Sequence, residues 1–390
     1  MGLLFELQET LLSRFDLSKP IVRLDGDMVL YSYPFESNYV ESRFFSSAPE
    51  SVLTEDKGDW LLTSDSSSNR LFRYAIFVPV KRKENSNAII LLHGLNERRW
   101  GKYLLWAYEL ANWTEAPVIL FPLANHMNRS PDAWSFPRKM SEVLKKRRDN
   151  YGFIENSSFA NVALSSRVDR FPEVFISSGL QSILDIVDLT GKIRAGKHPL
   201  FKAGTGVDFF SYSIGALVTE ILLMANPLDL YSSSKAFLFC GGATFDQMDA
   251  RSRTILDNKA FESLRSFVRS FETVKSSNGL FDLFKPFGNS IREVFMSMIS
   301  LENLRPEREN KIKSLGNRIR ALGLTLDKVI PGRAIFNTFC MGQCNNVAIA
   351  DFNFKYSHEM PFPLNDFSVT SKVEKAFSSV FNDASHFLKR

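Results

Sequence analysis

The sequence predicts an α/β protein with a mostly parallel central sheet, flanked by helices and carrying a helical insertion. Three observations lead there. Residues 88–92, Ala-Ile-Ile-Leu-Leu, are a continuous apolar run of the kind found in a strand covered on both faces. Helical spacing at Tyr103, Leu104, Trp106, Ala107, Leu110 and Ala111 then leads into a second apolar run at 116–123, and strand-helix-strand order implies a parallel crossover. Residues 206–216, Gly-Val-Asp-Phe-Phe-Ser-Tyr-Ser-Ile-Gly-Ala, repeat the theme as a short strand, a tight turn carrying Ser213 and the first turn of a helix. Residues 250–328 break the alternation. Phe261, Leu264, Phe267, Val268 and Phe271 mark one helix there, and Ile291, Val294, Phe295, Met298 and Ile299 mark another.

The remaining elements fall into place around this frame. Leu4, Leu7, Leu11, Leu12 and Phe15 recur at helical spacing, so the chain opens with a peripheral amphipathic helix. Strand-like stretches follow at 28–33 and 71–80, separated by a polar loop at 63–69. Ile176, Leu180, Ile183 and Val187 define the helix that feeds the serine strand. Residues 235–240 supply the next strand, with Gly241-Gly242-Ala243-Thr244-Phe245-Asp246 as its loop. Two strands are expected at 333–339 and 347–354. Their short link argues for an antiparallel or unusual connection, because a parallel crossover needs about ten or more residues. A final amphipathic helix carries Val373, Phe377, Val380 and Phe381. The expected organisation is 1–70 as an N-terminal helix with accessory strands, 71–249 and 329–390 as the α/β core, and 250–328 as a helical cap over the ligand edge.

Composition narrows the function classes. A formal charge of +5 over 390 residues is too weakly basic for a dedicated nucleic-acid surface. The one basic run, Lys145-Lys146-Arg147-Arg148, reads as a solvated helix face. Three cysteines, Cys240, Cys340 and Cys344, make no disulfide framework, and no Cys/His pair completes a zinc site, so no metal or cofactor is expected. No basic leader opens the chain and no apolar run approaches a membrane span, which points to a cytoplasmic protein. Phenylalanine is abundant, 35 residues, and part of that surplus is expected to line a pocket for an apolar ligand.

Chemistry concentrates at the carboxyl ends of the strands, the edge where open α/β sheets bind ligands. His93-Gly94 ends the 88–92 strand, Ser213 sits on the strand-to-helix corner, and His358 follows the last strand. The polar, Pro-punctuated stretch from Ala124 to Trp134 follows another strand, and His126 and Arg129 within it suit either substrate contact or loop anchoring. A serine in this position could also simply cap the helix beginning at Ile214.

Taken together, His93-Gly94, Ser213 and His358 resemble the α/β-hydrolase superfamily over roughly residues 70–390, in the chain order nucleophile, acid, histidine. The resemblance implies Ser213 as nucleophile, His358 as general base, and the amides of Leu95 and Ile214 as oxyanion-hole donors, with His93 beside the substrate. Ser211 departs from the family by replacing the first glycine of the elbow. The link at 341–346, where many members carry the acid, contains none. The best match for the acid is then Asp246 after the preceding strand, with Asp249 second; Asp351 and a carboxylate-free dyad stay open. The implied activity is a serine esterase or thioesterase acting on a small-molecule ester with an apolar part through an acyl-enzyme. An acyltransferase using the same residues and an inactive hydrolase-like binding protein are the alternatives.

Overall fold

A computed structural model describes residues 2–39, 67–82, 87–273, 284, 288–339 and 344–390. In chain order the elements are α1 (Leu3–Arg14), β1 (Ile21–Arg23), β2 (Met28–Glu36), α2 (Ser67–Arg70), β3 (Leu71–Pro79), β4 (Ala88–Leu92), α3 (Gly101–Thr114), β5 (Val118–Leu120), α4 (Pro137–Tyr151), α5 (Val162–Arg170), α6 (Glu173–Arg194), β6 (Val207–Tyr212), α7 (Ile214–Ala225), β7 (Ala236–Phe239), α8 (Asn258–Thr273), α9 (Gly288–Ser297), α10 (Arg305–Leu315), β8 (Ile319–Leu324), α11 (Gly332–Phe339), β9 (Val347–Ala350) and α12 (Thr370–Leu388). The described strands form one sheet in the order β1-β2-β3-β5-β4-β6-β7-β8-β9. The first three run antiparallel to their neighbours, and every pair from β5 to β9 is parallel. This is an α/β-hydrolase fold.

Burial on both faces explains the strand composition. Ala88 to Leu92 and Val207 to Tyr212 are each at most 1% exposed, and the two strands pair in register from Ala88↔Val207 to Leu92↔Ser211. On one face, α3 and α12 press an aromatic cluster onto the sheet: Trp106 touches Phe210, Phe239, Phe362 and Phe381. Each such ring removed from water contributes about 1.5–3 kcal/mol. Buried phenylalanines are divided between this cluster and the core on the opposite face, which holds Phe35, Phe72, Phe121, Phe209 and Phe245. On the other face lie α6 and α7. The 22-residue α6 is the one described helix long and apolar enough to cross a bilayer, but its Ile176, Leu180, Ile183, Ile186 and Leu189 are buried in the sheet core.

Two expectations about the last third of the chain are corrected. Residues 333–339 are helical: Ala334, Ile335, Thr338 and Phe339 are buried while Arg333 and Phe336 are exposed, the spacing of a helix face and not of a strand. The strand lies earlier, at β8, inside the stretch assigned to a cap at 250–328. β8 pairs with β7 from Ala236↔Ile319 to Phe239↔Leu322 and with β9 from Ala321↔Val347 to Leu324↔Ala350, so 319–328 belongs to the core. The passage β8–α11–β9 is then an ordinary parallel crossover. The helices α8, α9 and α10 pack on α5 and α7, and their apolar faces join the same core.

Two smaller points differ as well. Arg147 of the basic run is buried between Asp257 and Asp169, at 2.8 and 3.0 Å, and only its neighbours are solvated. Cys240 is fully buried just past β7, whereas Cys340 and the Cys344 side chain lie outside the described residues.

Candidate active site

At the end of β6 the backbone leaves ordinary geometry. Ser213 adopts φ 57° and ψ −122°, a conformation L-residues avoid because of steric strain, before α7 begins at Ile214. The corner needs neighbours without side chains. A Cβ on Gly215 would lie 2.7 Å from Cβ of Leu92, and one on Gly241 would lie 2.3 Å from Cβ of Ala216 and 3.1 Å from the Ser213 carbonyl oxygen. Ser211, at the position of the missing glycine, is fully buried and exchanges a 2.6 Å hydrogen bond with the Thr219 hydroxyl on α7. That pairing satisfies a polar side chain that the interior would otherwise penalise.

Strain and pairing together aim the Ser213 hydroxyl at a histidine. Ser213 Oγ lies 2.7 Å from His358 Nε2, and His358 Nδ1 lies 2.7 Å from Asp327 Oδ2. The carboxylate requires the proton on Nδ1, which leaves Nε2 as the acceptor for the serine O–H. Asp327 follows β8, and its other oxygen accepts the backbone N–H groups of Val329 and Ile330 at 2.9 and 2.8 Å. A carboxylate held by two amides cannot rotate away from the imidazole. The Tyr212 ring stacks on His358 with centroids 5.3 Å apart, and its hydroxyl donates to the His358 carbonyl oxygen. The Cys240 thiol is pushed well up by burial and by Asp327, to which it donates.

Asp327 replaces the acid expected from sequence. Asp246 instead accepts the Thr244 hydroxyl at 2.7 Å and the Leu301 amide at 3.2 Å, where its charge ties the β7 loop to the turn after α9. Asp249 is bound to Arg251, and Asp351 accepts the Asn353 amide at 3.3 Å. The sign that marks Asp327 in the sequence is an aspartate three residues beyond the apolar stretch 319–324, followed by Pro331-Gly332.

A mostly apolar cavity opens beside Ser213, between α5, α6 and α7. Leu95 and Ile214 form part of its wall together with Leu180, Leu217 and Phe295. No hydrogen bond among the described residues engages the amide of Leu95 or Ile214. His126 also stands on this wall; its Nδ1 donates to the Ala124 carbonyl at 2.8 Å. Burial, with repulsion from Arg98, Arg129 and Arg167, pushes His126 down to about 4, so the ring is neutral.

Neither His93 nor Arg129 lines this cavity, against the expectation that His93 lies beside a substrate, and of the two roles open to Arg129 the structure shows loop anchoring. His93 is fully buried, donates from Nδ1 to the Gly94 carbonyl at 2.9 Å and accepts the Leu123 amide on Nε2 at 3.0 Å. Arg129 is fully buried against Asp185 at 2.8 Å and the Pro122 and Asn69 carbonyls. A carboxylate taken into the core needs such a countercharge. His386 is exposed on α12.

A model for a family of unknown function, DUF6051, matches residues 15–389, and the chain belongs to that family. No curated protein matches the sequence. Among solved structures, the chain is similar to a thermostable esterase from Pseudomonas putida, at 10% identity over 99% of this chain and 89% of that one with a TM-score of 0.47. It is also similar to an esterase from Pyrobaculum calidifontis, at 12% identity over 99% and 92% with a TM-score of 0.45. A cold-adapted esterase from an Arctic intertidal metagenomic library shares 10% identity over 95% and 97%, with a TM-score of 0.40.

Proposed function

We propose that this member of a family of unknown function is a serine hydrolase that cleaves carboxylic esters or thioesters through an acyl-enzyme on Ser213. The observation that carries the reading is the unbroken relay from Asp327 through His358 to Ser213, with the serine on a strained strand-to-helix corner. A serine hydroxyl is a poor nucleophile at neutral pH, and a histidine at 2.7 Å removes its proton as the Oγ–C bond forms. Asp327 stabilises the imidazolium created by that transfer. The negative oxygen of the tetrahedral intermediate needs preorganised donors, and the amides of Leu95 and Ile214 serve as these; each such donor is worth about 3 kcal/mol. His358 then protonates the leaving group, and a water activated in the same way releases the acid. The apolar cavity beside Ile214 accommodates the acyl part.

The test is labelling by a fluorophosphonate, whose phosphorus reacts with an activated serine. Wild-type protein is expected to incorporate one label at Ser213 and to hydrolyse 4-nitrophenyl butyrate, while Ser213→Ala does neither. Labelling at another residue, or equal hydrolysis by the alanine variant, would overturn the reading.

A further inference from the structure

The cavity beside Ser213 has a length that the helix next to it measures. Ile214, Leu217, Val218 and Ile221 line it from α7, the i, i+3, i+4, i+7 face of a single helix. The rise per residue carries Ile221 about 10 Å beyond Ile214 along the helix axis. The Ile214 end is also where Leu95 stands, so a carbonyl attacked by Ser213 lies at the head of this face. The polar side chains on the wall are engaged with protein groups. Asn125 Nδ2 donates to Ser178 Oγ at 2.9 Å, and Arg167 stacks on the Trp134 ring at 4.8 Å.

A second observation concerns α6. Gly179 is on the cavity wall and lies inside that 22-residue helix, where glycine is the poorest choice after proline. Nothing in the packing calls for it: a Cβ at Gly179 would meet no atom within 4 Å. What the missing side chain leaves is open volume, part of about 740 Å³ of empty space with the mouth included. The cavity is bounded on one flank. Phe175, Leu217 and Phe295 separate it from a smaller apolar void lined by Phe245, Val268 and Met298. Two of these three are braced by other rings, Phe175 by Phe245 with centres 5.7 Å apart and Phe295 by Phe284 at 5.1 Å.

We propose that this cavity selects straight acyl chains of medium length, near octanoyl, with Gly179 keeping the channel open and Phe295 closing its flank. This rests on the hydrolase reading of the same site. An extended octanoyl chain matches the distance from Ile214 to Ile221, whereas a lauroyl chain exceeds it. A buried methylene favours binding by about fourfold, part of which is offset by the rotational freedom the chain gives up.

The 4-nitrophenyl esters of acetate, butyrate, octanoate and laurate test the length. For wild-type protein kcat/KM is expected to rise by about tenfold or more from butyrate to octanoate and to fall at laurate. Gly179→Leu places a side chain in the channel and improves the helix, so its Tm should hold or rise while the octanoate-to-butyrate ratio drops by about tenfold. Phe295→Ala joins the two voids and should move the optimum to laurate. Octanoate binding to Ser213→Ala protein, followed by calorimetry, gives a reading free of turnover, and adding Gly179→Leu should weaken it by about tenfold. Ester turnover that is flat or falling from acetate to octanoate, or the wild-type ratio retained in folded Gly179→Leu protein, overturns the acyl channel and leaves the hydrolase. Laurate turned over faster than octanoate by wild-type protein overturns the length limit. Octanoate binding that depends on Gly179, without fluorophosphonate labelling or turnover of any ester, overturns the hydrolase and keeps the channel.

Discussion

Two buried histidines at the carboxyl edge of the sheet, His93 after β4 and His358 beyond β9, differ in what their ring nitrogens meet. Both are at most 3% exposed, and both use Nδ1 as a donor. The His358 proton goes to a carboxylate, and Nε2 faces a hydroxyl; the His93 proton goes to a carbonyl, and Nε2 is occupied by the Leu123 amide. A charged partner stabilises an imidazolium whereas a carbonyl does so only weakly, so under the proposed mechanism it is the first ring that takes the serine proton. His93 is held well below the ordinary histidine range by burial first and by the neighbouring His126 second. Its task is to clamp the loop carrying Gly94 and Leu95 to the start of the loop after β5. Burial depth therefore does not distinguish a base from a clamp; the partner does.

The largest test of that contrast removes the charge and keeps the shape. Asp327→Asn should lower kcat for a small ester by about 10³–10⁴-fold, the scale seen when the acid of a serine triad becomes an amide. Asp246→Asn should change kcat by no more than about twofold and cost about 1 kcal/mol of stability from its weakened bonds to Thr244 and Leu301. Single-turnover kinetics and urea unfolding on both variants would decide it. A reversed ranking would mean that the β7 loop, and not the β8 loop, supplies the working carboxylate.

The ranking was hidden in the sequence for a local reason. Continuous apolar runs made β4 and β6 readable, and Ser213, Gly215 and His358 were placed because strand ends are marked by abrupt changes in polarity. The carboxylate was lost through one confusion of period. Ile335, Phe336 and Phe339 suit a strand by composition, yet Pro331 and Gly332 start a helix whose buried positions repeat every three to four residues. Assigning a strand there pushed the true strand, Ile319–Leu324, into the insertion, and Asp327 went with it. The choice between the two roles open to Arg129 was hidden for another reason. Its partner Asp185 lies 56 residues away on α6, a pairing visible only after folding.

A medium-sized effect separates the two histidines by the reactivity of the folded protein. His93→Leu leaves the Leu123 amide and the Gly94 carbonyl without partners in the core, and each unsatisfied group costs about 1–3 kcal/mol. The Tm should fall, while the rate of fluorophosphonate labelling at Ser213 in the remaining folded protein should drop by no more than about tenfold, in keeping with a loop clamp. His358→Leu should abolish labelling in the folded protein, beyond whatever Tm it loses by leaving the buried Asp327 carboxylate without its imidazole donor. If folded His93→Leu protein were as unreactive as the His358 variant, His93 would have a part in the chemistry.

The smallest effect is a pH dependence of stability that originates with the neutral histidines. His126 has its folded-state value pushed down to about 4, against 6.5 when unfolded, with burial as the first cause. Between those values the unfolded chain binds the proton and the folded chain does not, so stability rises with pH across the window. The contribution is complete above about pH 6.5, fades as pH falls through the window and has been lost below about pH 4. From about pH 7 to pH 6 the loss from this one group is under about 1 kcal/mol. Chemical denaturation at closely spaced pH values should show that slope, and His126→Gln, which cannot ionise, should flatten it. An unchanged slope in the variant would assign the dependence to His93 and His198, which burial also depresses. A slope of opposite sign would require a histidine that gains a proton on folding, which the burial of His126 and the surrounding arginines oppose.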